Sequence, residues 1–492
     1  MGSMTRKRIC RIAAAAAAVL MAALPAAAAG PYENYTYDQT GEMWGEPQAY
    51  YAERIVLGSE LGVGAFSGPG DVFVAPDGRV FIADTGNDRI VILKEDLSAE
   101  RVLDGFTFAG KEEKFASPQG VFVTADGALY VADTDNGRIV ELDKDGEAVR
   151  IIGEPDFDVD NKFDYKPIRV SVDTAGRIFV VSKNVNYGMI ELDKDGAFSS
   201  FYGAVKVSAS LTDSLWRKIA TEIQRERMLQ NVPTEYSSNA IDSDGFLYGT
   251  IATKTADYHV CRLNALGNDV LRRNGAVAPE GDVSALDEDG KEVTSTLVDI
   301  CVGENGVYSV LDSTRGRVFT YDQNGDLLFV FGALGDRMGC VTQPSALDMT
   351  ADMRFIVADS GADKLVVYAP TEYAKKITEA VRLQYERDFA GAEKLWIEML
   401  RYSSNSGSAY REIGKAYYRQ GDYTAAMKYF KLAGDQDRYS DVFKQYRRAF
   451  MNARFDTFMN ILVIAAAVAA VTWLTVRILR RRSGKKKRGE QA

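Results

Sequence analysis

The sequence has only one histidine, His259, and four cysteines among its 492 residues. One histidine cannot supply a three-histidine zinc site, and we expect His259 to be a packed or edge residue rather than a lone general base. Cys10 precedes the first apolar run, and the separations of Cys261, Cys301 and Cys340 match no zinc spacing. Three buried thiols are therefore expected, with one disulfide and a free thiol as the alternative.

The chain also lacks a Gly-rich phosphate loop and a nucleophile elbow. Its charges are unevenly placed, because residues 30–476 carry 47 basic and 68 acidic residues and thus a formal charge of −21. A nucleic-acid partner is not expected, since neutralising phosphates requires a basic surface. The apolar content of 46% is ample for packed cores.

Apolar runs lie at both ends of the chain. Residues 1–29 combine a basic start, an apolar stretch and small residues at Ala26–Ala29, the pattern of a cleaved secretory signal. Residues 457–476 carry no charge, and a helix of that length spans roughly 30 Å of hydrocarbon. The basic residues of the tail, 477–492, mark the cytoplasmic side. We expect a single-pass protein of the cell membrane, in contact with lipid and with its N-terminal body extracytoplasmic.

One pattern of apolar strand, tight turn, second strand, polar loop and third strand occurs six times. The turns contain Gly78, Gly127, Gly176, Gly245 and Gly306, with Met353 in the sixth position, and a further strand is expected after each of the first five copies. Four-stranded units at this period predict a mainly β fold, a six-bladed β-propeller over residues 51–370 that follows a linker at 30–50. Residues 52–57 are expected to supply the strand missing from the last blade. The copies span residues 71–93, 120–142, 169–192, 239–263, 298–321 and 346–368.

Copies one and two, at Val80 to Ile90 and Gly120 to Ile139, resemble the NHL repeat, with its run of G-V-x-V, a turn glycine, Y-V-A-D and N-x-R-I. The resemblance implies the propeller fold and says less about function. NHL-type amidating lyases and streptogramin lyases depend on histidine, and this chain has only His259. Gluconolactonase-like propellers use carboxylate and asparagine ligands, which are present here in no diagnostic spacing. A metal-dependent lactonase or hydrolase is therefore the alternative to a protein without enzymatic activity.

Two polar loops and one long insertion are the candidates for binding on the propeller rim. The connections that enter each blade are long and lie on one rim, whereas the opposite rim has only tight turns, which we expect to be too short to form a pocket. The insertion at 203–237 has an amphipathic pattern that predicts a helix capping the elaborated rim. A structural role within the repeat is favoured over ligand contact for the loop residues. The candidates are Asp84, Asn87, Arg89, Asp133, Asn136, Arg138 and Trp216.

An acidic loop in another entry connection is a candidate for Ca²⁺, although no cofactor is required by any motif. A solvated acidic surface is favoured, because the loop lacks the regular ligand spacing of a calcium site. Its acidic residues are Glu154, Asp156, Asp158, Asp160 and Asp164.

Residues 371–455 change to helical periodicity and resemble tetratricopeptide repeats, strongly at 407–440 and more weakly 34 residues earlier. Small residues such as Gly414 and Ala426 predict close helix packing. Such repeats imply either a spacer or a groove for a partner segment, lined by Tyr410, Arg411, Tyr417 and Tyr418.

The combined organisation predicts a membrane-anchored extracytoplasmic binding or scaffolding protein whose propeller rim recognises a protein partner or a carbohydrate-related ligand. The tandem of signal, NHL propeller, helical repeats and one span resembles surface proteins of Gram-positive bacteria, some of which accompany sugar-uptake transporters. No residue in the sequence specifies the ligand.

Overall fold

A computed structural model describes residues 32–489 except 158–163, 186, 204–234, 253–255, 257, 283–293 and 405. The chain divides into two compact units, one ending at Ser408 and the other beginning at Ala409. The predicted signal at 1–29, most of the 203–237 insertion with Trp216, and Asp158 and Asp160 of the acidic loop lie outside the described residues.

The first unit is a six-bladed β-propeller, as the repeats predict. Three strands precede the first repeat: β1 (Tyr35–Tyr37), β2 (Met43–Gly45) and β3 (Tyr50–Val56). Blade 1 comprises β4 (Asp71–Val74), β5 (Val80–Asp84), β6 (Arg89–Leu93) and β7 (Ala99–Leu103), and a hairpin of β8 (Gly105–Phe108) and β9 (Lys111–Lys114) follows it. Blade 2 comprises β10 (Pro118–Val123), β11 (Leu129–Asp133), β12 (Arg138–Leu142) and β13 (Ala148–Ile152).

The remaining blades follow in chain order. Blade 3 comprises β14 (Lys166–Val172), β15 (Ile178–Lys183), β16 (Met189–Leu192) and β17 (Phe198–Tyr202). Blade 4 comprises β18 (Tyr236–Ile241), β19 (Leu247–Ile251) and β20 (Val260–Leu263). Blade 5 comprises β21 (Leu297–Val302), β22 (Tyr308–Asp312), β23 (Arg317–Tyr321) and β24 (Leu327–Phe331). Blade 6 comprises β25 (Pro344–Met349), β26 (Phe355–Asp359), β27 (Lys364–Pro370) and the N-terminal strand β3.

Closure through the N-terminus is confirmed. Strand β3 pairs antiparallel with β27 in a register that places Tyr51 opposite Ala369 and Val56 opposite Leu365. Tyr50, at the start of β3, is buried and stacks on Phe331 of blade 5 with ring centroids 4.6 Å apart. The pairing removes the free edge of blade 6, and the aromatic contact ties the closing strand to the neighbouring blade.

Blade 4 departs from the prediction, because its sheet has three strands in the part of the chain that the structure describes. Asp269 Oδ1 accepts the backbone N–H groups of Arg262 (3.0 Å) and Leu271 (2.9 Å). The carboxylate thus takes the place of a ladder carbonyl, and the chain leaves the sheet after one bridge between Leu263 and Asp269. The predicted fourth strand after this copy is therefore wrong.

The tight turn between the first two strands of each blade requires a left-handed residue. Gly78 and Gly127 have φ of 86° and 92°, and Met353 in the sixth copy keeps this conformation at φ 67°. Glycine adopts it without steric cost, whereas methionine is strained there. The turn geometry is thus retained even where the repeat lost its glycine.

The apolar core lies in the seams between blades. In the seam of blades 1 and 2, for example, Phe81 and Ile90 pack against Val121 and Val131. The described part of the predicted 30–50 linker packs as well: the hydroxyls of Tyr35 and Tyr37 donate to Asp282, which also pairs with Arg317 at 2.7 Å. This contact fixes the β1–β2 hairpin on blade 5.

The helices begin where the sequence supplies caps. In the first unit, α1 (Glu372–Tyr385) is capped by Thr371 and α2 (Phe389–Met399) by Asp388, whose carboxylate accepts the Gly391 N–H at 3.0 Å. The second unit contains α3 (Gly407–Gln420), α4 (Tyr423–Leu432) and α5 (Gln436–Gly489).

Close packing is present where the sequence predicts it in the second unit. A Cβ on Gly414 would meet the Phe430 ring at 3.0 Å, and Ala426 and Phe430 are buried together with Val442. Farther along α5 the large apolar side chains are exposed, with Phe443 and Phe450 each more than 40% accessible. Assignment of these helices as tetratricopeptide repeats stays a prediction.

Candidate functional site

The first predicted rim loop is held together by its own polar residues. Asp84 has no exposed surface, and its Oδ1 accepts the backbone N–H of Ser67 at 2.7 Å. Its Oδ2 accepts from Asn87 Nδ2 (2.9 Å) and Arg89 Nε (2.7 Å). The guanidinium of Arg89 also donates to the Val63 carbonyl at 2.6 Å. Each of the three candidate residues is thus engaged within the loop that contains it.

The second loop repeats this arrangement. Asp133, also without exposed surface, accepts from the Ala116 N–H (2.7 Å), Asn136 Nδ2 (2.9 Å) and Arg138 Nε (2.7 Å). The other side of the Arg138 guanidinium pairs with Glu113. We call Asp84, Asn87, Arg89, Asp133, Asn136 and Arg138 the loop set.

Two further blades have a buried aspartate at the same position. Asp312 accepts the Thr296 N–H at 2.9 Å, and Asp359 accepts the N–H groups of Thr342 and Gln343 at 2.8 Å. In each case the aspartate at the end of the second strand fixes the connection that enters its blade. The geometry is that of the structural role, and ligand contact by the loop set stays a prediction.

A cavity of about 840 Å³ lies in the central channel. Its walls are the first strands of the blades, with apolar side chains such as Phe73, Phe122 and Ile300. The lining continues to the tight turns, including Asp126 and Thr174. The expectation that this rim forms no pocket is therefore wrong: the turns are short, but the ring of six blades leaves space between them.

A buried guanidinium lies at the floor of this cavity. Arg169, on the first strand of blade 3, is 8% exposed and donates to the carbonyls of Gln119 (2.7 Å), Gly70 (3.1 Å) and Ser345 (3.1 Å). These carbonyls belong to segments that enter blades 2, 1 and 6. One side chain thus links four blades across the channel.

Three aspartates on first strands line the cavity together with Arg169. Asp71 and Asp299 are buried, and their Oδ1 atoms lie 3.7 and 3.8 Å from Arg169 Nε; Asp348 is partly exposed to the cavity. The inner edge of a propeller strand has unpaired peptide groups, which these carboxylates satisfy. Each joins one blade to the N–H of the next: Asp71 to Val121 (2.9 Å), Asp299 to Leu347 (2.7 Å) and Asp348 to Val74 (2.6 Å).

Burial changes the acidity of all three carboxyls. Desolvation inside the channel raises the pKa of Asp348 to about 7, against the lowering effect of its bonds from Val74 and Met349. Desolvation also raises the pKa of Asp71 and of Asp299, although Arg169 opposes the shift in both. In the channel, burial therefore favours the protonated form of these carboxyl groups.

Asn239 completes the floor. It is 8% exposed, lines the cavity, and donates from Nδ2 to the Phe179 carbonyl at 3.2 Å, but its Oδ1 has no hydrogen-bond partner. Its neighbour Ser238 donates to Asp299 Oδ1 at 2.5 Å. A buried acceptor without a donor is costly, and such groups mark places where a ligand or water completes the bonding. We call Asp71, Arg169, Asn239, Asp299 and Asp348 the channel set.

The channel set is not among the residues predicted from the sequence, although the repeat contains a signal for three of its members. Asp71, Arg169 and Asp299 each stand seven residues before the turn glycine, where the second copy has Gly120. A Cβ on Gly120 would lie 2.5 Å from the Ile168 carbonyl oxygen and 2.9 Å from the Arg169 Cα. A charged residue thus recurs at one position of strands that are otherwise apolar. This recurrence indicates that the charged residues meet at the floor of the cavity.

The other predicted residues fall into separate places. Arg411 is buried, with its Nε 3.7 Å from Asp435 Oδ2, so its assignment to an open groove is wrong. Tyr410 and Tyr417 lie near the Tyr429 ring, with centroids 6.3 and 5.4 Å away, and Tyr418 is 40% exposed. The structure therefore brings the first two tyrosines together on the second unit.

The cysteine prediction is confirmed, because Cys261, Cys301 and Cys340 are free and buried. His259 pairs through Nδ1 with Glu280 Oε2 at 2.7 Å, and this hydrogen bond raises the pKa of His259. Within the described ranges, no group of three or more His, Cys, Asp and Glu side chains is arranged to hold a metal ion. That search did not include Asp158 and Asp160 of the acidic loop.

The family model described as NHL repeat matches residues 115–142, which include β10 to β12. The propeller contains an NHL repeat. Its position in blade 2 is that of the copy whose sequence is most complete. No curated protein matches the chain.

Several solved structures resemble the chain. Virginiamycin B lyase from Staphylococcus aureus is 12% identical with a TM-score of 0.40, over 62% of this chain and 96% of that one. The extracellular domain of a hybrid two-component system from B. thetaiotaomicron is 12% identical with a TM-score of 0.37, over 69% and 40%. The WD40 β-propeller domain of Doa1 is 10% identical with a TM-score of 0.39, over 66% and 98%.

Helix α5 is long and apolar enough to cross a membrane. Its apolar part is exposed, with Val471 and Trp473 each about 60% accessible. The hydroxyls of Thr472 and Thr475 donate to the carbonyls one turn earlier, at 2.7 and 2.9 Å. Such internal bonds satisfy the polar groups that lipid leaves without partners.

Proposed function

We propose that this protein is a membrane-anchored binding protein in which the channel cavity of the NHL-containing propeller receives a small polar ligand. The channel set is the observation that carries the proposal. Removing an ion cluster from water costs several kcal/mol per ion, and apolar packing of the same space is often at least as stable. Charged groups that line a cavity of this size are accordingly assigned to recognition.

The cavity has the composition of a small-molecule site. Its walls contain many apolar side chains, and the channel set, including Asp348 and Asn239, contributes polar groups at the end away from the tight turns. Ligand pockets commonly combine such walls with a few placed polar groups that fix orientation. Binding here replaces recognition by the elaborated rim, whose described polar residues are engaged with one another.

The membrane helix determines on which side of the bilayer the propeller lies. We infer that the apolar part of α5, residues 457–476, crosses the bilayer and that the propeller is extracytoplasmic, since basic residues 477–492 favour the cytoplasm. Protease added to spheroplasts is expected to digest the propeller and spare the tail, whereas a protected propeller would reverse the orientation. A role beside a sugar-uptake transporter stays a prediction, and neutral sugars belong in any ligand screen.

A mouth variant tests where binding occurs. Thr174 is exposed and lines the cavity, so Thr174→Trp narrows its opening. Lys144→Trp, at an exposed turn outside the lining, is the matched control. Full-length protein in detergent micelles is screened by thermal unfolding against neutral sugars, carboxylates and amines, since a ligand at 100 times its Kd adds about 2.7 kcal/mol. We expect at least one solute to raise the Tm of the parent and of Lys144→Trp but not of Thr174→Trp.

If no solute in the screen stabilises the parent, or if the stabilisation survives Thr174→Trp, the channel is not the binding site. Nothing in the described residues favours the metal-dependent hydrolase as a second candidate.

A further inference from the structure

The charges at the cavity floor do not balance. Asp71 and Asp299 share the single guanidinium of Arg169, and Asp348 forms no ion pair with any residue that the structure describes. Arg169 cannot serve a third carboxylate by rotation, because its terminal nitrogens are bonded to backbone carbonyls of neighbouring blades. With all groups ionised, three carboxylates face one cation.

Among the described residues that line the cavity, Arg169 is the one positive group near Asp348. The charged or titratable residues facing it are Asp71 on β4, Asp299 and Cys301 on β21, and Arg169 on β14. The paired strand β26 is buried and apolar opposite Asp348, where its register partner is Ile356. Apart from Arg169, which is shared by Asp71 and Asp299, the neighbours named for Asp348 are negative or neutral, and a cavity lies in front of it.

Because no cation among the described residues is paired with Asp348, protonation neutralises its carboxylate. Burial raises the pKa of Asp348 to about 7, so near neutral pH the carboxyl is partly protonated when the cavity contains no positive group. A cation in contact with the carboxylate favours its ionised form and expels that proton. Binding and proton release are therefore linked at this residue.

A second, independent feature points to a hydrogen-bond donor. Asn239 lines the same cavity, and its buried Oδ1 has no hydrogen-bond partner. Asp348 already accepts Val74 N–H through Oδ2 and Met349 N–H through Oδ1, which leaves room for further donors on each oxygen. An ammonium or guanidinium group carries several N–H donors with its charge and satisfies both requirements.

We propose that the floor of the cavity binds the ammonium or guanidinium group of a small organic cation through Asp348 and Asn239, and that the carboxyl proton of Asp348 passes to solvent on binding. The inference rests on the proposed function, because it names the chemical class of the ligand for the same cavity. The volume of about 840 Å³ leaves space for the organic part of such a molecule against the apolar walls.

Four ligands of similar length show whether binding to the cavity depends on the charge of the ligand or on its shape. Full-length protein in detergent micelles is titrated calorimetrically with butane-1,4-diamine, agmatine, butane-1,4-diol and succinate at pH 6 and pH 8. Both amines stay charged over this range, whereas Asp348 with a pKa of about 7 must ionise to bind them. We expect the amines to bind about 10-fold more tightly at pH 8 than at pH 6, with about one proton released to the buffer at pH 6 and almost none at pH 8.

Substitutions show which residues are responsible for amine binding and for its pH dependence. Asp348→Asn is expected to abolish the pH dependence and weaken amine binding at least 10-fold, while Asp135→Asn, on an exposed loop of the other rim, leaves Kd unchanged. Asn239→Ala is expected to weaken binding with the pH dependence intact, and it keeps the test valid should Asp348→Asn fail to fold. Thr174→Trp should block binding, whereas Lys144→Trp should not.

The outcomes distinguish the two proposals. Equal or better binding of the diol or of succinate, blocked by Thr174→Trp, overturns the cationic class and leaves the binding function in place. Amine binding that is independent of pH or unchanged in Asp348→Asn also overturns the inference. Amine binding that survives Thr174→Trp removes the ligand from the channel and contradicts both.

Discussion

The loop set and the channel set contain the same residue types in different bonding states. In the loop set, Asp133 accepts hydrogen bonds from Asn136 and Arg138 of its own loop and from the Ala116 N–H of the connection that enters the blade. In the channel set, Arg169 is shared by two carboxylates, and the Oδ1 of Asn239 lacks a partner. Saturated polar groups stabilise a fold, whereas groups with unused bonding capacity are available to a ligand. The comparison therefore separates a structural set from a binding set.

The largest loss of stability is expected from a substitution in the loop set. Asp133→Ala removes a carboxylate that holds Ala116 N–H and Arg138, and loss of one partner of a buried ion pair costs about 3–5 kcal/mol. Denaturant unfolding of the full-length protein in micelles measures the loss, and ligand binding per folded molecule should not change.

Asp135→Ala is the matched control in the same loop. Its carboxylate is half exposed and pairs with Lys166 at 2.9 Å, so the expected cost is about 0–1 kcal/mol. Equal costs for the two variants would show that the loop set is not the structural support that we infer.

Gly120→Ala tests whether ligand binding depends on the position of Arg169 in the channel. The new methyl group would lie 2.5 Å from the Ile168 carbonyl oxygen, and backbone cannot yield as a side chain does. Overpacking of this kind costs about 1–3 kcal/mol, and the shift of Arg169 should also weaken ligand binding. Gly153→Ala, where a Cβ meets nothing within 4 Å, is the control for loss of glycine itself. A stability loss without any change in binding would place Arg169 in the structural set.

The pH dependence of stability is expected to come from the channel. Because the pKa of Asp348 is about 7 when folded and near 4 when unfolded, the folded state holds the extra proton between these values. The free energy of unfolding should therefore fall as pH rises from about 4 to about 7, by up to about 1.4 kcal/mol per pH unit for this group.

Asp348→Asn should flatten that decline, and Asp135→Asn should leave it as it is. Unfolding curves at half-unit pH steps measure the slope. An unchanged slope in Asp348→Asn would assign the titration to other groups, of which Asp71 is the first to test because its pKa is also raised by burial.

Local patterns predicted most of the fold. Alternating apolar strands and turn glycines such as Gly78 predicted the blades, and the apolar segment before the first copy predicted closure, because each signal lies within a few residues. The missing strand of blade 4 was not predictable in this way, since the Asp269 side chain replaces a ladder carbonyl.

The channel set could not be predicted from local patterns, because its residues come together only in the closed ring of blades. Asp71, Arg169 and Asp299 lie in blades 1, 3 and 5, and only closure brings the two carboxylates within 4 Å of Arg169. Their shared position in the repeat could have indicated that they meet, but neither the unused Oδ1 of Asn239 nor the state of Asp348 is visible in a sequence. The loop set was found because its residues are neighbours along the chain.

The smallest stability effect should accompany one of the largest binding effects. Asn239→Ala removes the hydrogen bonds from Nδ2 to the Phe179 carbonyl and, at 3.9 Å, to Met189 Sδ. It also removes an unsatisfied oxygen, so we expect a cost of about 1 kcal/mol. Amine binding should nevertheless weaken at least 10-fold, because the only unpartnered acceptor identified on the described cavity floor is lost. Asp133→Ala is the opposite case, with a large loss of stability and unchanged binding. If Asn239→Ala destabilised the protein as much as Asp133→Ala and left binding intact, the amide would belong with the loop set, and the distinction between saturated and unsaturated polar groups would fail at this residue.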